Sequence, residues 1–169
     1  MVAIDPRQLS ELAWKQPSAL NRNFELKSGD SLLAEVRFKK ALGTLAIART
    51  AEHAWTFKRS GFLNPVVTAR LVGTETDVAA FRAKWTARSG SLDLASGEQL
   101  TMRAANFWGS EWAVENASGA LLMQIHEKGM VHFSARYEIT DAGKARGDLG
   151  LLLCLSWYVL VLMSEDSAA

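Results

Sequence analysis

Residues 149–163 read Leu149-Gly150-Leu151-Leu152-Leu153-Cys154-Leu155-Ser156-Trp157-Tyr158-Val159-Leu160-Val161-Leu162-Met163, an unbroken apolar run with no charge and little polarity beyond Ser156 and the Tyr158 hydroxyl. A helix that is apolar on every side has no face for water and must be surrounded, by lipid or by protein. Asp148 precedes the run, where a carboxylate is expected to cap free backbone N–H groups at the positive end of the dipole. A helix of this length spans about 22 Å at 1.5 Å per residue, short of the roughly 30 Å of a hydrocarbon core. Glu165 and Asp166 follow where a membrane anchor usually carries Lys or Arg. The run is therefore expected to be a helix over about 148–164, buried inside its own domain and not a transmembrane span.

Upstream, apolar and polar residues alternate with the period of two that belongs to strands. Val131, Phe133, Ala135, Tyr137 and Ile139 oppose His132, Ser134, Arg136 and Glu138, and Leu32, Ala34, Val36 and Phe38 oppose Glu35, Arg37 and Lys39. Glycine turns such as Ser28-Gly29-Asp30, Ser60-Gly61, Ser96-Gly97 and Ser118-Gly119 recur between these runs. The pattern predicts about twelve strands, near 13–17, 22–28, 31–38, 43–50, 53–59, 65–72, 77–86, 91–95, 98–106, 110–116, 120–127 and 131–139. Barrels of roughly eight strands fill their interior with their own side chains, whereas a wider one has room for a central helix. The fold class is mostly β: a closed antiparallel barrel of about twelve strands around the buried apolar C-terminal helix.

The 169 residues suit one domain, 1–169, with no linker or low-complexity tract inside it. A formal charge of +1 gives no reason to expect nucleic acid as a partner. The lone Cys154 excludes an intramolecular disulfide and a cysteine zinc site, and residues Met1 to Leu12 lack the apolar core of a secretory signal. The expectation is a cytoplasmic monomer, peripheral at a membrane at most.

A twelve-strand meander closed by an apolar C-terminal helix resembles the tubby C-terminal-like fold shared with phospholipid scramblases and LURP-one-related proteins. The resemblance spans nearly the whole chain and rests on Trp55-Thr56-Phe57-Lys58-Arg59 leading into Gly61-Phe62, on Asn106-Phe107-Trp108-Gly109-Ser110-Glu111-Trp112, and on Leu151 to Leu162. It implies a non-enzymatic role, with phosphoinositide binding in tubby proteins and membrane association in scramblases. No Asp-rich calcium run, palmitoylation-type cysteine cluster or long transmembrane C-terminus accompanies it, so scrambling is not implied. The tubby phosphoinositide pocket has no residue-by-residue counterpart here.

Basic residues cluster at Arg37-Phe38-Lys39-Lys40, Lys58-Arg59 and Arg82-Ala83-Lys84, and pairing of neighbouring strands can join the first two into a patch for an anionic headgroup. Solvated strand faces account for the same charges. Most tryptophans fall at core-facing strand positions, but Trp108 lies in a loop-like stretch, where an exposed aromatic suits a partner or a membrane interface. His126 and His132 flank Lys128-Gly129, and a three-residue hairpin would set them opposite each other. A metal would need a third ligand, and Glu127 points to the other face from His126. No Gly-x-Ser-x-Gly elbow or phosphate-cradling loop occurs. These residues predict a non-catalytic binding module without cofactor or metal. It is expected to meet anionic phospholipid, a phosphoinositide or a protein partner on its wall or rim, through Arg37, Lys39, Lys40, Lys58, Arg59 and Trp108. The competing readings are a membrane protein anchored by the C-terminal segment, and an enzyme or metal site around His126 and His132.

Overall fold

The computed structural model describes residues 1–84, 88–128 and 133–168. After a 3-10 turn at Pro6–Gln8, twelve strands follow in order: β1 (Leu12–Lys15), β2 (Asn23–Ser28), β3 (Ser31–Phe38), β4 (Ala46–Thr50), β5 (Ala54–Ser60), β6 (Val66–Leu71), β7 (Asp77–Lys84), β8 (Ser89–Leu94), β9 (Gln99–Ala104), β10 (Glu111–Glu115), β11 (Leu121–Lys128) and β12 (Ser134–Ile139). Two helices complete the chain, the short α1 (Asp141–Lys144) and the long α2 (Leu149–Ala168). Each strand pairs antiparallel with the next, and β12 closes on β1 through Ala13 opposite Arg136 and Trp14 opposite Ala135. Closure leaves no unpaired edge along which another chain could add a strand.

Alternation sets what the barrel encloses. Trp14, Phe24, Leu26, Val36, Phe57, Phe81, Leu100, Val114, Ile125 and Tyr137 are buried on inward positions, and all of α2 from Leu151 to Leu162 is buried among them. The barrel wall thus supplies the surroundings that an all-apolar helix demands. Several inward residues are small: Ala34 on β3, Ala46 and Ala48 on β4, Ala69 on β6, Ala79 on β7 and Ala135 on β12 are all buried. They leave room for a helix of about 10 Å diameter, which larger side chains at every position would close off.

Around the helix, packing is aromatic. Trp157 stacks on Trp14 at 5.6 Å, meets Phe24 edge-on at 5.4 Å and lies 4.8 Å from Phe133. Tyr158 stacks on Phe38 and meets Phe57 edge-on, each at 5.4 Å, and its hydroxyl donates to the Thr44 carbonyl. The Ser156 hydroxyl bonds Tyr137 at 3.1 Å and the Leu153 carbonyl at 3.3 Å, so the one buried serine of the helix is satisfied. Burial pushes the Cys154 thiol and the Tyr137 phenol well above their ordinary ranges, leaving both neutral.

Charged clamps hold both ends of α2. Where it starts, Arg146 forks onto Glu98 at 2.7 and 2.9 Å and onto Asp148 at 2.8 and 2.9 Å. Where it finishes, Arg22 holds Glu165 at 2.6 and 2.9 Å and stacks on the Phe38 ring at 3.9 Å, while Arg59 forks onto Asp166. Bidentate arginine pairs fix direction as well as position.

The structure departs from or adds to the sequence reading at four places. First, α2 runs to Ala168, five residues past the apolar run, because Ser164–Ala168 continue as a solvated turn. By length and composition such a helix can cross a membrane, so it is burial in the barrel and not shortness that sets its surroundings. Second, both Asp148 carboxylate oxygens accept from Arg146, and it is the Asp148 carbonyl that takes the Leu152 N–H at 3.1 Å. Third, the residues after β12 form α1, capped by the Thr140 hydroxyl accepting from Gly143 N–H at 3.2 Å. Fourth, the β11–β12 register sets His126 opposite Arg136, so no three-residue hairpin brings two histidines face to face. His132, with Trp85 and Val131, lies outside the described residues.

Candidate functional site

An up-and-down meander sorts its loops alternately to two rims. At the lower rim α2 begins, beside the 29–30, 51–53, 72–76, 95–98, 116–120 and 140–148 connections. The upper rim, where α2 ends, carries the 16–22, 39–45, 61–65 and 105–110 connections.

Large apolar side chains divide unequally between them. Among the described residues, those more than 80% exposed are Leu20, Leu42, Phe62, Leu63, Phe107 and Trp108, and every one sits in an upper-rim loop. At the lower rim Met1, Val2, Leu71 and Val72 reach no more than 50%. Scattered exposed apolar residues need no explanation, but six large ones at the tips of four loops on one end form a surface.

The loops that present these side chains are built locally. In 105–110, Asn106 Oδ1 accepts from the Ser110 and Glu111 N–H groups at 3.1 and 3.2 Å, and its Nδ2 donates to Ser110 Oγ at 2.8 Å. That closure pushes Phe107 and Trp108 outward as an edge-to-face pair, 5.4 Å apart. Arg88 Nη1 donates to the Phe107 carbonyl at 2.7 Å and braces the tip from the neighbouring connection. In 61–65, Gly61 adopts φ +93, and a Cβ there would stand 2.9 Å from the Asn64 carbonyl oxygen. Only glycine fits that turn without strain.

Charge is sorted the same way. The lower-rim connections carry Asp5, Glu11, Asp30, Glu52, Glu75, Glu98, Asp141 and Asp148 against Arg7, Lys144 and Arg146. The upper rim carries Lys39, Lys40 and Arg88 in its connections, and Lys15, Lys84 and Lys128 against Glu111 at strand ends, while its Glu165 and Asp166 are taken by Arg22 and Arg59. Between the rims, the outer wall neutralises itself through Arg37–Glu35, Arg70–Asp77, Arg82–Asp93, Arg103–Glu115 and Arg136–Glu138 pairs.

The six residues expected to bind a lipid or a partner on the wall or rim divide between those two places. Lys39, Lys40 and Trp108 lie in upper-rim loops and are exposed; Lys58 is exposed on the outer wall near the same end. No carboxylate among the described residues pairs with Lys39, Lys40 or Lys58. Arg37 belongs to the wall, paired with Glu35 at 3.0 Å, and Arg59 turns toward the helix and Asp166. Neither arginine offers an unpaired charge. The missed members are Leu20, Leu42, Phe62, Leu63 and Phe107. Their signal was present as large apolar residues inside turn segments, where polar residues are the rule.

The remaining histidine chemistry is modest. His126 Nδ1 and Nε2 lie 3.7 Å from Glu111 and Glu138 on the outer wall, and no group of three metal-ligating side chains occurs among the described residues. No protein-family model, curated protein or solved structure matches the chain.

Proposed function

We propose that the domain is a non-catalytic module that docks on an anionic membrane surface through its upper rim. The observation that carries this is the gathering of the six highly exposed apolar side chains on loop tips at one barrel end, ringed by lysines without carboxylate partners among the described residues. Separate tips spaced around a barrel suit a soft surface that each tip enters independently. Burying one such side chain is worth about 1.5–3 kcal/mol when complete, and a lysine near an anionic leaflet adds about 1 kcal/mol. The acidic lower rim would face away from the leaflet. A relation to tubby C-terminal-like, scramblase and LURP-one-related proteins is supported by the shared plan of twelve strands around an apolar helix, and membrane association is the property that the plan suggests. In this reading α2 stays inside the barrel and does not serve as an anchor, since its apolar surface already faces the wall.

The test is co-sedimentation of the full chain with vesicles of phosphatidylglycerol and of phosphatidylcholine at low and high salt. The expected result is binding to the anionic vesicles that weakens with salt, and its loss in Phe62→Ser/Leu63→Ser/Phe107→Ser/Trp108→Ser with cooperative unfolding retained. Absence of vesicle binding by the wild-type chain, or unchanged binding by the folded variant, overturns the proposal.

A further inference from the structure

Beside the last turns of α2 the upper rim opens into a cavity of about 340 Å³, walled by Trp108, Trp112, Lys84, Arg88 and Glu127 and by Met163, Ser164 and Ser167 of the helix. Glu127 follows the buried Ile125 by two on β11, so its carboxylate points into the barrel and not onto the wall. An inward carboxylate at a half-buried position requires a cation or donors. No ion pair joins it to Lys84, Arg88 or any other described residue. The Trp112 N–H donates to the Gly109 carbonyl at 3.1 Å and also leans on the Glu127 carboxyl, offsetting only part of the effect of burial. Burial raises the Glu127 pKa to about 7, the mark of a carboxylate without a compensating charge.

From β12 the facing group is the neutral Tyr137; on α2, Glu165 and Asp166 are held by Arg22 and Arg59. His126, Glu111 and Glu138 turn to the outer wall, and Lys84 and Arg88 stand exposed at the mouth. Two indoles and a carboxylate in one wall, with the negative end of a 20-residue helix beside them, favour a positive occupant. The mouth favours a negative one, because Arg88 spends one N–H on Phe107 and retains others.

We propose that this cavity binds an alkylammonium group against Glu127 between Trp108 and Trp112, with a phosphate on the same molecule received by Lys84 and Arg88. The ligand class is a phosphoammonium compound, of the size of a headgroup and not of a whole lipid. The membrane reading bears only on its source, which is either a lipid headgroup or a free solute. Bound ammonium favours the ionised carboxylate, so binding releases a proton and weakens as pH falls below about 7.

The experiment titrates the full chain with O-phosphoethanolamine and with glycerol phosphate, which lacks the ammonium, following tryptophan fluorescence in solution without vesicles. Saturable binding of the first is expected, at least about tenfold weaker for glycerol phosphate and for Glu127→Gln, which keeps the side-chain shape. A second arm compares vesicles with and without phosphatidylethanolamine. Preference for the former assigns the site to a lipid headgroup, and solution binding without that preference assigns it to a free solute. Failure to saturate, or equal binding by Glu127→Gln or of glycerol phosphate, overturns the site. Because the titration contains no membrane, its outcome is independent of whether the rim docks on anionic vesicles.

Discussion

Trp157 of the central helix and Trp14 of the first strand stack with centroids 5.6 Å apart and planes 4° from parallel, both fully buried. The pair ties the last element of the chain to the first strand, so the barrel seam and the helix are one packing unit. Neither indole N–H finds an acceptor among the described residues. The stack therefore contributes through area and dispersion while carrying two unmet donors. Trp157→Ala is expected to cost about 3–5 kcal/mol, and Trp157→Phe, which gives up area but also an unmet donor, clearly less. Urea unfolding of both variants checks the order, and equal losses would refute the argument.

A chain ending at Arg146 loses every residue of α2 and leaves the inward faces of twelve strands around a void. Water entering would wet Phe57, Leu26 and Ile125, and collapse is barred by closure of the sheet. The truncated chain is expected to lose its cooperative thermal transition and to bind a hydrophobic dye. A sharp transition near that of the full chain would show that the barrel stands alone.

The sequence carried the barrel well because its signals were local. Alternation within each strand and glycine between strands place β3 at the expected residues and β7 as a strand through Lys84, despite the helical spacing of Val78 and Phe81. Apolarity on all sides placed α2 inside. Long-range pairings were not legible: that Arg59 would reach Asp166, or Arg22 reach Glu165, depends on which way each side chain leaves the barrel at a rim. The same holds for the upper rim, whose loops are separated in sequence and brought to one end by the up-and-down order of the strands. The exposure of Trp108 is legible because its loop has its own signature; that of Phe62 and Leu63 is not, because apolar residues read by default as core.

Gly143 on α1 marks a tight approach. A Cβ there would stand 2.2 Å from the Leu122 carbonyl oxygen and 2.9 Å from Ile139. That carbonyl already accepts from the Thr140 N–H and hydroxyl, each at 3.1 Å, so it has little freedom to retreat. Gly143→Ala is expected to cost about 1–3 kcal/mol, against a small change for alanine at the open Gly147. Chemical denaturation of the two variants makes the comparison.

Arg146 holds the Glu98 carboxyl below the usual carboxylate range, chiefly by its hydrogen bonds. A depressed folded-state pKa contributes stability that is full above the unfolded value of 4.5 and is lost as pH falls through the folded value. Arg146→Met removes that contribution, so the gap between wild type and variant should narrow as pH drops below about 4.5. A gap constant from pH 7 to 3 in thermal melts would place the effect of Arg146 in packing alone.

Glu127 has the opposite sign. Burial raises its pKa to about 7, so the folded state holds a proton that the unfolded chain, near 4.5, gives up. Between those values each rise in pH costs the fold stability, and above about 7 the full penalty is in place. Glu127→Gln carries no such penalty. It should match the wild type near pH 4 and exceed it by about 1–3 kcal/mol at pH 8. An added alkylammonium phosphate should recover part of that difference for the wild type alone, because it supplies the charge that the carboxylate lacks. Denaturant unfolding of both proteins at the two pH values measures it. A difference that does not grow with pH would mean that the carboxylate is already compensated.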